Sequence, residues 1–253
     1  MGGQKRGLNA LTPAINPRPR PSDNSMKRFD TVAARTDEGM TTAIEHPGLE
    51  VGAALSVQAD ASRGDPVYNE FYAKGGWKYS FWREYWWHRR HIVRRFRLRT
   101  GMRVLEVACG NGFHTNLLRR MGFASIGVDR SVAGIAWARS HFPRSRYHRG
   151  DLFGELPVER ETCDVVYARG CSHYHYDLLT DQALGTTRHL LQYLRPGGLF
   201  IMIIVTNLSG SKEPDRIWHN TLDDYRRHFS SFGSQSSVSW VDGMAVCGLW
   251  KAV

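Results

Sequence analysis

Cysteine is scarce. The four residues Cys109, Cys163, Cys171 and Cys247 form no CxxC pair and match no metal-ligand spacing. Neither a disulfide framework nor a bound metal is expected, and the thiols are expected to be reduced in a cytoplasmic protein. Long apolar runs are also missing. The longest, Leu199 to Val205 (LFIMIIV), falls far short of the roughly 20 residues that a spanning helix needs, so no membrane span is expected. The first residues, MGGQKRGLNALTPAINPRPRP, have no apolar h-region, and Arg6 stands where a myristoylation pattern wants Ser or Thr. Neither a secretory leader nor an acyl anchor is expected. Aromatic residues are almost absent before Tyr68, where Phe29 stands alone. Residues 1–65 mix Pro, Ser, Arg, Asp, Thr and Gly without a helical or alternating period. Such a stretch buries too little apolar area to offset its ordering entropy, and a poorly ordered extension is expected. Acidic residues are in deficit: 24 Asp+Glu face 34 Lys+Arg, a net charge of +10. That excess suits an anionic partner. No repeat of basic residues alternating with stacking aromatics tracks a nucleic-acid backbone, so nucleic acid is not the favoured partner.

What is present begins at Tyr68. The segment Tyr68 to Gly101 holds four of the eight tryptophans between Trp77 and Trp87. Phe81/Trp82, Tyr85/Trp86, Ile92/Val93 and Phe96 recur at helical steps, which predicts a helix from about Ser80 to before Gly101. Residues 66–100 read as an aromatic and arginine-rich lid, with Tyr72, Trp77 and Tyr79 as candidate substrate contacts. Residues 101–253 read as the core of the same domain.

From Met102 short apolar strands alternate with helices. Strands are predicted at Arg103–Ala108, Ser125–Val128, Tyr147–Gly150, Asp164–Ala168 and Leu199–Val205. Helices are predicted at Gly110–Met121, Ser131–His141, Asp181–Leu194 and Thr221–Phe229. A final pair, Ser236–Val241 and Ala245–Val253, turns through Asp242-Gly243. The pattern predicts an α/β fold with a doubly wound, mostly parallel seven-stranded Rossmann-like sheet and a C-terminal antiparallel hairpin.

In such sheets ligands bind beyond the carboxyl ends of the strands. The first strand runs into Glu106-Val107-Ala108-Cys109-Gly110-Asn111-Gly112, where glycine lets the backbone approach a ligand closely. The second ends at Asp129, whose carboxylate can accept two bonds from a ribose diol. The third is followed by Gly150-Asp151-Leu152. A dinucleotide fingerprint would need glycine at position 115, which is Thr115, and the Glu106 carboxylate would repel a pyrophosphate.

This constellation resembles that of class I S-adenosylmethionine-dependent methyltransferases over about Tyr68 to Val253. The family's first motif matches Glu106 to Gly112, with Ala108 in place of the usual first glycine. Its ribose-binding acid matches Asp129 in IGVDRS, and its adenine-facing acid matches Asp151 in GDLF. The CDVVYARG segment matches the strand that runs beneath the methionine moiety. The resemblance implies S-adenosylmethionine as cofactor, with S-adenosylhomocysteine as product. It implies cofactor contacts from Glu106, Ala108, Gly110, Asn111, Gly112, Asp129, Arg130, Asp151, Leu152, Ala168 and Arg169. A cationic sulfonium and an α-ammonium suit a carboxylate at Glu106.

The loop after the fourth strand reads Gly170-Cys171-Ser172-His173-Tyr174-His175. His173, and second to it His175, are candidate general bases for an acceptor that must lose a proton. Tyr174 between them is a candidate substrate contact, and His114 reads as structural. No Asn-Pro-Pro-Tyr-type motif follows that strand, and no RNA-binding module is visible. The expected partner is a small-molecule acceptor; Lys78, Arg169, Lys212 and Arg216 could hold an anionic group on it. The alternatives are an RNA- or protein-directed methyltransferase docking through its basic front, and a non-catalytic cofactor-binding protein.

Overall fold

The computed structural model describes residues 66–213, 217–233 and 235–253. The expected extension at 1–65 and the anion-binding role of Arg216 lie outside the described residues.

Seven strands form one sheet: β1 (Arg103–Val107), β2 (Ala124–Asp129), β3 (Arg146–Arg149), β4 (Cys163–Arg169), β5 (Leu194–Val205), β6 (Ser236–Val241) and β7 (Met244–Trp250). Their order is β3-β2-β1-β4-β5-β7-β6. The first five run parallel, and β7 lies antiparallel between β5 and β6. The expected doubly wound sheet with a closing hairpin is therefore present. The strand order reverses between β1 and β4, so a crevice opens at their carboxyl ends.

Period-2 alternation sorts the strands onto two cores. Leu105, Val107, Val166, Ala168, Phe200 and Met202 pack with Leu190 of α5 (Asp181–Leu191) and with Tyr225 and Phe229 of α6 (Leu222–Ser230). Val104, Val165, Tyr167 and Ile201 face the other way, onto Leu118 of α3 (Phe113–Arg120) and onto Ile92 and Phe96. The second helix of the βαβ units, α4 (Val132–His141), packs Ile135 and Ala138 on Cys109 and Tyr147. Among the described residues no helix is long and apolar enough to cross a membrane.

Two boundaries differ from the sequence reading. The predicted helix from Ser80 splits into α2 (Phe81–His88) and a wider π-turn, Arg89–Val93. It ends at Arg97, whose φ of 53° no helix continues. Strand β5 starts at Leu194 rather than Leu199, because Arg195 to Gly198 is absorbed as an irregularity. Its pairing with β4 shifts register between Cys163 and Val165. A short helix, α1 (Pro66–Ala73), precedes α2 and packs on α4.

Candidate active site

Strand β1 leaves the sheet through Ala108 and Gly110, both left-handed with φ of 54° and 52°, and Gly112 enters α3 at φ 74°. The carboxylate of Asp129, at the end of β2, fixes this turn. Its Oδ2 accepts from the Gly110 N–H at 2.8 Å, and its Oδ1 accepts from the Ser131 N–H at 2.8 Å. Burial pushes the Asp129 carboxyl up from its ordinary value, and the two N–H donors oppose that. Ser131 in turn caps α4 by accepting from the Gly134 N–H at 3.0 Å.

Helix α1 lies over the turn. The Asn69 side-chain Oδ1 accepts from the Ser131 hydroxyl at 2.8 Å. Asn111 donates its amide to the carbonyls of Gly75 and Trp77, at 2.9 and 3.0 Å, and so clasps the segment after α1 onto the β1 turn. Beneath α1 remains a cavity of about 60 Å³, bordered by Tyr72, Asp129, Arg130, Asp151, Leu152 and His173, with Ala108 and Tyr68 also on its wall. Asp151 sits at the end of β3, where its Oδ1 accepts from the Phe153 N–H at 3.0 Å; no helix follows it. His173 packs edge-on against Phe153, 4.9 Å between ring centres. Burial, and then the positive charge of Arg130, lower its basicity, so its imidazole is neutral near pH 7.

The other predicted residues lie elsewhere. Glu106 is buried and accepts from the Thr115 hydroxyl. Burial pushes its carboxyl up to about 8. Near neutral pH the free protein therefore holds mainly the uncharged acid, which weakens the expectation of a standing negative charge for the sulfonium. Ala168 is buried in the main core. Tyr174, expected against the substrate, is a core residue: it is fully buried and its hydroxyl pairs with that of Thr187 at 2.9 Å. The 3-10 turn Ser172–Tyr174 points its third side chain inward, while Ser172 and His173 border the cavity. His175 lies beyond that border. Its Nε2 is buried without a hydrogen-bond partner, and burial lowers its pKa to about 4. Trp77 packs on Phe71, and Lys212 on the Trp218 ring.

Arg169, at the tip of β4, turns to the opposite core. Its Nη1 lies 2.9 Å from Glu84 Oε2, and its guanidinium stacks over the Tyr79 and Trp87 rings at 5.7 and 5.4 Å. Glu84, His88 and His114 cluster there with the donor set of a divalent cation. Arg169 already neutralises Glu84, however, and both nitrogens of His88 are engaged, by the Glu84 carbonyl at 2.8 Å and the Tyr167 hydroxyl at 2.7 Å. Burial and Arg169 hold His88 and His114 well below the usual imidazole range, so both stay neutral. Sequence reasoning missed this network. The signal was a glutamate and a histidine one helical turn apart on α2, a face that reads as solvent-facing unless its partners are known.

Known proteins bear on this geometry. Residues 82–242 match the family described as "Methyltransferase domain". A probable S-adenosylmethionine-dependent methyltransferase of Mycolicibacterium smegmatis is 34% identical over 122 residues, 47% of this chain and 45% of that protein. Trans-aconitate 2-methyltransferase of Delftia acidovorans is 29% identical over 122 residues, 46% of this chain and 42% of that protein. The chain thus spans less than half the length of these relatives. The DhpI–SAH complex superposes with a TM-score of 0.57 at 19% identity, covering 81% of this chain and 98% of that one, and so shares the fold. With the family match extending over more than half its residues, the chain belongs to the methyltransferase domain family, and its cofactor is S-adenosylmethionine.

Proposed function

We propose that the chain moves the methyl group of S-adenosylmethionine onto an oxygen or nitrogen of a small molecule held beneath α1. The observation that carries this reading is the convergence of Asp129, Arg130, Asp151 and His173 on one cavity at the strand tips. Two carboxylates there suit the hydroxyls and the exocyclic amine of a nucleoside. The bare Cα of Gly110 is the close approach such a ligand needs.

When bound, the cofactor supplies an electrophilic methyl on a cationic sulfur. The chain's own residues do the rest. Asp129, oriented by two backbone N–H groups, accepts from ribose hydroxyls, and Asp151 borders the adenine. Tyr72 and α1 exclude water and hold the acceptor in line, and proximity of that kind supplies much of the acceleration. His173, neutral near pH 7, takes the proton that an O–H or N–H acceptor sheds as it gains the methyl. His175, the second candidate base from sequence, lies outside the cavity lining and is not assigned that proton. A small site under a short helix favours a small acceptor over a polymer. The relative named for trans-aconitate adds support.

The test is methyl-tritiated cofactor offered with small acids, phenols, amines, bulk RNA and bulk protein. Label in a small molecule is expected. Label confined to RNA or protein overturns the acceptor class. S-adenosylhomocysteine binding without transfer to any acceptor overturns the transferase reading.

A further inference from the structure

Helix α2 is built inside out. A surface helix normally turns its charged residues to water and its apolar stripe to the core. Here Glu84 and His88 are buried, while Trp82 and Trp86 stand 64% and 59% exposed. Phe81, Trp82, Tyr85 and Trp86 form one continuous ridge of edge-to-face contacts, with successive ring centres 5.3 to 5.9 Å apart. Around the ridge, Arg83, Arg89, Arg90, Arg94, Arg97 and Arg99 are exposed. None of these six pairs with a carboxylate among the described residues. Arg89 leans over the Trp86 ring at 5.7 Å, and Arg120 of α3 over Phe81 at 4.2 Å. Beside the ridge runs an open groove of about 630 Å³, with Val93, Leu98, Met121 and Phe123 along it and Arg89 and Arg94 at its rim.

We infer that this face binds the surface of an anionic lipid bilayer. Indole rings are most favourable at the level of lipid headgroups, where one edge is apolar and the other wet. Arginines flanking them meet the phosphates while their stems lie along apolar surface. A second copy of the chain is disfavoured, because it would bring two arginine clusters together. Nucleic acid is disfavoured because base stacking needs open ring faces. In this ridge the interplanar angles of 72° and 88° set the edge of one ring on the face of the next. The expectation of no membrane partner rested on the lack of a spanning segment, which does not bear on a surface contact.

The experiment is co-sedimentation of the full chain, without cofactor, with vesicles of phosphatidylcholine alone or mixed with phosphatidylglycerol. Binding to the mixed vesicles should be at least about tenfold tighter, with a blue shift of tryptophan emission. The double variants W82A/W86A and R90E/R94E should each lose about tenfold or more of that binding. All four side chains are exposed, so thermal midpoint and S-adenosylhomocysteine affinity should hold. Equal binding to both vesicle types, no binding at low salt, or full binding by both variants overturns the inference. So does tighter binding to a single-stranded oligonucleotide, or a dimer, that W82A/W86A abolishes.

Discussion

The phenol of Tyr72 rests on the bare Cα of Gly110: a Cβ built there would lie 2.4 Å from the Tyr72 oxygen. The cavity left beneath α1 is about 60 Å³, whereas a drug-sized ligand needs roughly 300 Å³ or more. Under the proposed placement of the cofactor, Tyr72 occupies room that the cofactor needs, and α1 has to shift as it enters. Gly110→Ala should weaken S-adenosylhomocysteine binding by about tenfold or more in calorimetry, since its Cβ fills the close-approach point. Gly101→Ala is the control. It has the same left-handed strain, at φ 86°, but nothing lies within 4 Å of its Cβ. Both variants should lose about 1 kcal/mol to backbone strain, Gly110→Ala more because the buried Tyr72 must also move, and only Gly110→Ala should lose ligand.

Asp129 is expected to act twice, on the cofactor and on the turn. Asp129→Ala removes the acceptor of the Gly110 and Ser131 N–H groups. It should weaken the cofactor sharply and destabilise the fold by about 1–3 kcal/mol, the cost of leaving buried donors unmet. Asp129→Asn keeps one acceptor oxygen and should recover part of the stability but little of the affinity. Unchanged affinity in both would place the ribose elsewhere.

The sheet and its strand tips were legible because apolar runs, glycines and single acids alternate on a short period. Asp129, Asp151 and His173 sit at strand ends in sequence and in space alike. Other features were set by distant partners. Which stripe of α2 faces inward depends on Tyr167, Arg169 and His114, all far away in sequence. The inward turn of Tyr174 depends on Thr187. Arg195 to Gly198 reads locally as a turn, yet Gly197 and Gly198 are held in β5 by backbone bonds to Lys251 at 3.2 and 2.9 Å. The clasp of Asn111 on Gly75 and Trp77 leaves no sequence mark beyond a polar residue in a glycine-rich loop.

Glu106 makes stability depend on pH. Its folded pKa, about 8, lies above the ordinary 4.5, so between these values the folded state holds the proton more tightly than the unfolded state. Stability should fall as pH rises through that window. Urea midpoints measured at about pH 7 and about pH 9, above the histidine range, should show this decline. Glu106→Gln carries no proton to lose and still accepts from Thr115, so its decline should be smaller. An equal slope in the variant would assign the titration to another group.

If His173 is the base, its loss should act on turnover rather than on cofactor affinity. His173→Ala should lower kcat on the true acceptor by about 10²–10⁴-fold while S-adenosylhomocysteine binding stays within about twofold. With the imidazole pKa lowered by burial, the acid limb of the wild-type rate profile should lie below the ordinary 6.5, and it should vanish in the variant. Full turnover would leave no role for the proton transfer.

The pair Glu84–Arg169 offers the sharpest test of the buried network. Their side chains are 8% and 12% exposed, so each leaves an uncompensated charge when the other is removed. Glu84→Ala should cost about 3–5 kcal/mol in urea unfolding. In the double variant Glu84→Ala/Arg169→Met no charge is stranded, and most of that loss should return. His88 and His114 add an acid limit. Both are held below the ordinary 6.5, so the unfolded state binds their protons first and stability should fall as pH drops below about 6.5. A divalent cation bound by Glu84, His88 and His114 would change the outcomes for chelator and for Arg169→Met. Chelator would then mimic Glu84→Ala, and Arg169→Met alone would stabilise the chain by relieving repulsion of the ion. With Arg169 as the partner of Glu84, chelator should leave the unfolding midpoint unchanged, and Arg169→Met alone should destabilise the chain about as much as Glu84→Ala does.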